Sequence, residues 1–438
     1  MSGAIRTLHQ RYLDQETSSV EVVAKHLAAA EALGRELNAF TAVLREQALA
    51  EADASLARYR AGRPLSELDG VPVSIKDLMH VKGTVTSAGS LAYPRTRQTR
   101  DADMVKKLRR AGAVIFGKTN LLEFAFGLVH PEIGPAHNPW DPRLTIGGSS
   151  SGAAAAVAAG IGLGAVGTDT AGSIRNPAAF GGVAGYKPTW GHYSAEGLIP
   201  LSPSLDHLGW LARTADDLVS LFEGLGGRAP VDQDRPRVAV IDLGRTASDV
   251  DELTQKAIRK IEGQVEFRDP FDYDWVLSNA AAIAIITVEA YGVHQTLLKE
   301  RWSEYSAGTR VRLLAGAGIT AADYLRARQI REALRREWSR LTRDIDFVLM
   351  PTMPAVAPLE EVALVEDLSD ATLYTSTFAL LGLPAVSVPS GLNSEGRPAG
   401  IQIVGRPAQD AEVLAFAARL EQLIGPFPKP PHYAGLYD

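Results

Sequence analysis

The 438-residue chain has no cysteine. That excludes disulfides, thiolate metal sites and a cysteine nucleophile, and by elimination it favours serine for any covalent chemistry. Histidine is sparse and scattered, nine in all. The nearest pair, His130 and His137, is interrupted by Pro131 and Pro135, which spoil a helical ligand arrangement, so no metal site is expected. Charge of one sign is also lacking, since the formal net charge is only −6 with acids and bases interspersed. Nothing resembles a nucleic-acid footprint or a polybasic membrane patch. Residues 1–15 carry charges throughout and no apolar core ahead of a small-residue cleavage site, so they do not read as a signal peptide and the chain is expected to be cytoplasmic. The run of small apolar residues at 153–165 is shorter than the roughly 20 residues of a membrane span and is expected to form a fully buried helix. No repeats or low-complexity tracts occur.

What the chain does have is 46% hydrophobic residues, enough for a large core. Val20, Val23, Leu27, Ala30 and Leu33 fall at helical spacing and predict a helical layer within residues 20–60. From Gly70 onward, short β-branched runs at 71–75, 113–116 and 238–241 alternate with helix-like segments, which predicts an α/β sheet with helices outside it. The glycine- and proline-containing stretch at 224–230 reads as a surface loop rather than a domain linker. The basic run at 326–343 is interleaved with acids and apolar residues and predicts an amphipathic helix. Asp272 and Asp274 read as a solvated face rather than a catalytic pair.

Two serines and a lysine carry the chemical signal. Lys76 ends Gly70-Val71-Pro72-Val73-Ser74-Ile75, a short apolar stretch expected to be buried. Ser149 lies in Gly147-Gly148-Ser149-Ser150-Ser151-Gly152, and Ser173 in Gly167-Thr168-Asp169-Thr170-Ala171-Gly172-Ser173-Ile174-Arg175. A serine hydroxyl must give its proton to a base, and a lysine serves when burial lowers its pKa to about 7 to 8. A glycine-serine run can also cradle phosphate, but this one lacks the Gly-Lys-Ser/Thr ending of a P-loop.

Together these motifs resemble the amidase signature family of amide hydrolases, in which the two serine runs keep a fixed distance that Ser149 and Ser173 reproduce, 24 residues apart. The resemblance extends through Leu37-Asn38-Ala39-Phe40, Gly117-Lys118-Thr119-Asn120, Asn138-Pro139-Trp140, Lys187-Pro188-Thr189, Ser204-Leu205-Asp206, Pro351-Thr352 and Gly400-Ile401-Gln402-Ile403-Val404-Gly405. It is weakest between about 225 and 340. It implies one α/β amidase domain over 1–438, a single large mixed sheet sandwiched between helical layers. The expected divisions are a helical layer at about 1–65, a signature core at about 66–220, a variable substrate-side region at about 225–340 and a C-terminal core at 341–438.

The resemblance further implies a Lys76, Ser149, Ser173 relay with a cis Gly148-Ser149 peptide, Ser173 as nucleophile and backbone N–H groups of Thr170, Ala171, Gly172 and Ser173 as the oxyanion hole. Family members commonly carry glycine where this chain has Ala171. Phe124, Phe126 and Ile146 are expected to line an acyl pocket, with 302–318 and 372–378 closing its other side. Asp169 and Arg175 are expected to hold the loop; if Arg175 reached the pocket, a carboxylate-bearing substrate would suit it. No cofactor is implied. The expected partner is a small-molecule amide, with no nucleic acid or membrane, and a homo-oligomer is left open. The competing function is the glutaminase subunit of a tRNA-dependent amidotransferase, which Asn120-Leu121-Leu122-Glu123-Phe124-Ala125 resembles. That subunit holds glutamine's amino group with an aspartate where this chain has Thr372, Asp370 being out of register. A non-catalytic scaffold is the third class, and the intact Lys76, Ser149 and Ser173 argue against it.

Overall fold

In a computed structural model, which describes residues 3–126, 128–229, 232–363 and 372–431, eleven strands join in one mixed sheet. They are β1 (Phe40–Val43), β2 (Pro72–Lys76), β3 (Val114–Thr119), β4 (Gly164–Asp169), β5 (Ala184–Lys187), β6 (His207–Ala212), β7 (Arg237–Val240), β8 (Glu266–Arg268), β9 (Phe347–Pro351), β10 (Ala385–Leu392) and β11 (Pro398–Val404). Their order is β1-β3-β2-β4-β6-β5-β10-β11-β9-β7-β8. The fold class is therefore the expected α/β sheet. β2 runs parallel to both β3 and β4, and β7 runs parallel to β8 and β9. Strands such as β2, β3 and β4 are buried at every position because helices cover both faces, and they accordingly read as apolar or small runs broken only near their carboxyl ends, by Lys76, Lys118 and Asp169.

The expected N-terminal layer is present as helices Ser19–Glu36 and Arg45–Arg60. The first is closed by a capping box, in which Ser18 accepts from Glu21 N–H and Glu21 accepts from Ser18 N–H. The small-residue run at 153–165 departs from expectation. Its helix, Ser151–Ala158, stops early, and Gly164 already starts β4. Gly160 and Gly162 turn the chain with φ of 77° and 82°, which ends the helix and lets the same apolar composition continue as a central strand. Gly152 sets the depth of that helix, since a Cβ there would lie 2.3 Å from Ala39 O and 2.6 Å from Asn120 N.

Beyond β8 the chain forms a helical excursion. Helix Trp275–Glu300 is long and apolar enough to cross a membrane by length and composition alone. In the fold its Ala281, Ala282, Ile285, Ile286 and Ala290 are buried, and it packs on helices Ala307–Ala315, Ala321–Leu341 and Ser376–Leu381. Helix Ala321–Leu341 is the expected amphipathic one, burying Ala327, Arg331, Leu334 and Trp338 along one face.

Candidate active site

The site gathers at the carboxyl ends of β2 and β4, where open α/β sheets place their ligands. β2 ends with Lys76, wholly buried. β4 ends in Thr168 and Asp169, and the chain continues through Thr170 to Ser173 before helix Arg175–Gly181. The Gly148-Ser149 peptide is cis. Lys76 Nζ donates to Ser149 Oγ at 2.8 Å, Thr168 Oγ1 at 2.9 Å and Ser150 Oγ at 3.0 Å. All three partners are neutral hydroxyls, and among the described residues no carboxylate pairs with the ammonium. Burial pushes the Lys76 pKa down to about 7, against a smaller pull upward from Asp206 and Asp169.

Ser149 and Ser173 face one cavity of about 240 Å³. They are not hydrogen-bonded to each other through their side chains; the two segments are tied by Ser150 N–H, which donates to Ser173 O at 3.1 Å. Phe126, Ile146, Leu122, Phe180, Ile283 and Ile286 give the cavity a mainly apolar wall, with Arg312, Glu360 and Thr372 also lining it.

The comparisons with known proteins agree with this arrangement. A family model described as Amidase matches residues 21–299 and 263–414. The chain belongs to the Amidase family. The amidase signature resemblance read from the motifs is thereby shown, and with it the hydrolysis of amide C–N bonds as the family's chemistry. A solved structure titled "Crystal structure of amidase" superposes with a TM-score of 0.88 at 35% identity, covering 95% of this chain and 98% of that one. The peptide amidase of Stenotrophomonas maltophilia superposes at 0.84 and 26% identity, covering 97% and 98%. Among curated proteins, the chain is 36% identical to a glutamyl-tRNA(Gln) amidotransferase subunit from Anaeromyxobacter dehalogenans strain 2CP-C, over 94% of each chain.

Within this Amidase-family framework, two expectations need correction, those for Gly172 and Phe124, and the alternative of Arg175 as a substrate contact falls away while its expected loop-holding role stands. Arg175 does not reach the pocket. It is wholly buried, its Nε and one terminal nitrogen each 2.9 Å from the Asp169 carboxylate, with further bonds to Gln402 Oε1 and Thr375 O. Gly172 does not offer a free N–H, because it donates to Asp169 Oδ1 at 2.7 Å. Asp169, held by Arg175 and by the Gly172, Ile174 and Arg175 N–H groups, lies well below the usual carboxylate range despite its burial. The N–H groups of Ala171 and Ser173 have no such partner among the described residues. Phe124 is not a pocket residue either: its ring stacks on Tyr305 and packs edge-on against His294 and Tyr93. Phe124 and Ala125 both take positive φ, 49° and 59°, and this turn sends Phe124 into the core while Ala125 and Phe126 face the cavity.

Several contributors escaped sequence reasoning. Thr168 stood inside a quoted motif, yet nothing in its identity announced a bond to Lys76. Ile283 and Ile286 are two of many apolar residues in a long helix. Thr372, as expected, borders the cavity, and its Oγ1 donates to Asn279 Oδ1 at 3.1 Å. Asp370 lies outside the described residues.

Proposed function

We propose that the chain hydrolyses carboxamides with apolar acyl groups through an acyl-enzyme on Ser173. The observation that carries this reading is Lys76: a buried amine held only by hydroxyls, one of them Ser149, at the wall of an apolar cavity that also holds Ser173. Neutral Lys76 takes the Ser149 proton as Ser149 takes that of Ser173, and Ser173 Oγ bonds to the amide carbon. Ala171 and Ser173 N–H groups face the developing oxyanion. The proton returns through Ser149 to the nitrogen, the C–N bond breaks, and ammonia or an amine leaves. Water repeats the route, breaking the ester bond to Ser173 and releasing the carboxylate.

The second reading, a glutaminase subunit, is favoured by the names of the curated relatives, several of them glutamyl-tRNA(Gln) amidotransferase subunits at 31–36% identity. Against it stands the apolar wall, with Thr372 where that subunit is expected to carry an aspartate. Ammonia and amine release from aliphatic, aromatic and carboxylate-bearing amides, glutamine included, separates the two. We expect turnover of apolar amides by the chain alone and none by Ser173→Ala. Turnover of glutamine only, and only with partner subunits, overturns the first reading in favour of the second. Equal activity in both proteins removes Ser173 as nucleophile.

A further inference from the structure

Ser204-Leu205-Asp206 belongs to the sequence motifs, yet the relay above gives it no task. Asp206 is buried and its carboxylate is fully engaged by neutral donors: Thr170 Oγ1 at 2.7 Å on one oxygen, and Leu201 N–H at 2.9 Å and Ser202 N–H at 3.1 Å on the other. Among the described residues no cation is ion-paired to it. Lys76 is its mirror image, a buried amine with hydroxyl partners only. Thr168 accepts from Lys76 and Thr170 donates to Asp206. β4 pairs antiparallel with β6 through Thr168 with Leu208 and Asp169 with His207, which brings Asp206, just ahead of β6, to the β4 end where the two threonines lie.

We propose that Asp206 is a positioning residue for the Lys76 relay, serving as the counter-charge of the Lys76 ammonium and as the anchor of the Thr170–Ser173 loop. The counter-charge role rests on Lys76 being the base, as proposed above; the anchoring role rests on the hydrogen bonds alone. By holding Thr170 with one oxygen and Leu201 with the other, a single carboxylate ties together two walls of the cavity. Its charge matters when Lys76 accepts a proton, since the new ammonium forms in a dry site where an opposite charge is only weakly screened.

The neighbouring charges are otherwise engaged. Asp169 is paired with Arg175. Lys118, on β3, is paired with Asp77. Glu289, from helix Trp275–Glu300, accepts from Ser202, Ser204 and Tyr324 hydroxyls and acts on Asp206 as a like charge. Lys187 and His207 are both buried, and burial drives both pKa values well below normal while Asp169 pulls each back up. Burial raises Asp206 to about 6 and lowers Lys76 to about 7, where the Asp206 charge pulls it part of the way back up.

Two variants separate the roles. Asp206→Asn removes the charge, so Lys76 holds its proton less tightly. The acidic limb of kcat/KM is expected to move to lower pH by about 0.5 to 1 unit, less than the 1 to 3 units of a directly contacting charge. Thr170→Val keeps the charge and frees the loop; kcat is expected to fall about 10- to 100-fold with the limb in place. A purely structural Asp206 would lower the rate without moving the limb, and that result, in a folded Asp206→Asn protein, overturns the counter-charge. Should Asp206→Asn not fold, the reciprocal measurement decides. In Lys76→Met, the carboxyl carbon-13 signal of Asp206 is expected to titrate at higher pH than in wild type, because linkage between two groups is mutual. An unchanged titration also overturns the proposal. This last reading needs no turnover, so it distinguishes failure of the counter-charge from failure of the amidase assignment.

Discussion

Lys76 and Lys118 lie on adjacent parallel strands, β2 and β3, and both are wholly buried, yet they are solvated in opposite ways. Lys118 is ion-paired with Asp77 and donates to Val85 O and Thr86 Oγ1, each at 2.9 Å. Lys76 has three hydroxyls and no ion pair. Burial lowers both pKa values, but Asp77 pulls Lys118 back up at contact distance, while Lys76 feels its carboxylates only through intervening groups. Desolvation alone therefore does not mark a base. What marks one is desolvation with polar partners that accept a hydrogen bond and carry no charge, for such partners satisfy the amine in either protonation state.

The largest effects should come from removing each amine. Lys76→Met is expected to reduce turnover at least about 1000-fold while leaving stability at pH 7 unchanged or higher, since it replaces a desolvated, unpaired amine by an apolar side chain of similar volume. Lys118→Met strands Asp77 and is expected to cost about 3 to 5 kcal/mol, with turnover falling only as far as the folded fraction falls. Urea melts and initial rates on both proteins check this. If Lys118→Met abolished turnover while melting normally, the comparison would collapse. Adding Asp77→Asn to Lys118→Met removes the stranded charge and should restore about 1 to 3 kcal/mol, because Thr41 and Ser87 hydroxyls still find an acceptor there.

Next in size is the pH dependence of Lys76. Its folded pKa lies far below its unfolded value, so between about pH 7 and 10 the unfolded chain binds the extra proton. Stability contributed by this residue therefore rises with pH over that window and is lost as pH falls toward 7. Wild type should gain stability relative to Lys76→Met from pH 7 to 10 in urea melts. A gap that is flat across the window would mean that Lys76 is charged in the folded protein as it is in water. In kcat/KM the same group should give a rising limb near pH 7, as the neutral base appears.

How much of this contrast was legible beforehand depends on how local the cause is. Ser149 and Ser173 were readable because glycine-flanked motifs at a fixed spacing encode them, Lys76 because it ends a short apolar stretch that matches the family motif, and the alternation of β-branched runs with helical patterns gave the sheet class. The partners were not. Whether Lys118 meets Asp77, or Arg175 meets Asp169 rather than a substrate, is decided by side chains that one strand end brings together, and both lysines sit in equally apolar strands. Phe124 misled because hydrophobic identity does not report φ, and two successive left-handed residues reverse which ring faces the cavity. Ile283 and Ile286 reach the site from a helix more than a hundred residues away, so no local pattern could name them.

The smallest expected effects fall on the hydroxyls, and they probe the comparison most finely. Ser150→Ala removes one of three acceptors around Lys76 but leaves Ser149 and Thr168, so turnover should fall by about 10-fold or less, with a stability cost of about 1 kcal/mol. Thr86→Val strips a comparable hydroxyl from Lys118, where the Asp77 charge remains, and should cost a similar amount of stability with no change in rate per folded molecule. Matched melts and rates on this pair ask whether the hydroxyl shell acts on chemistry at β2 and only on stability at β3. Equal rate losses in the two variants would make both lysines structural and return the search for a base to the rest of the cavity wall.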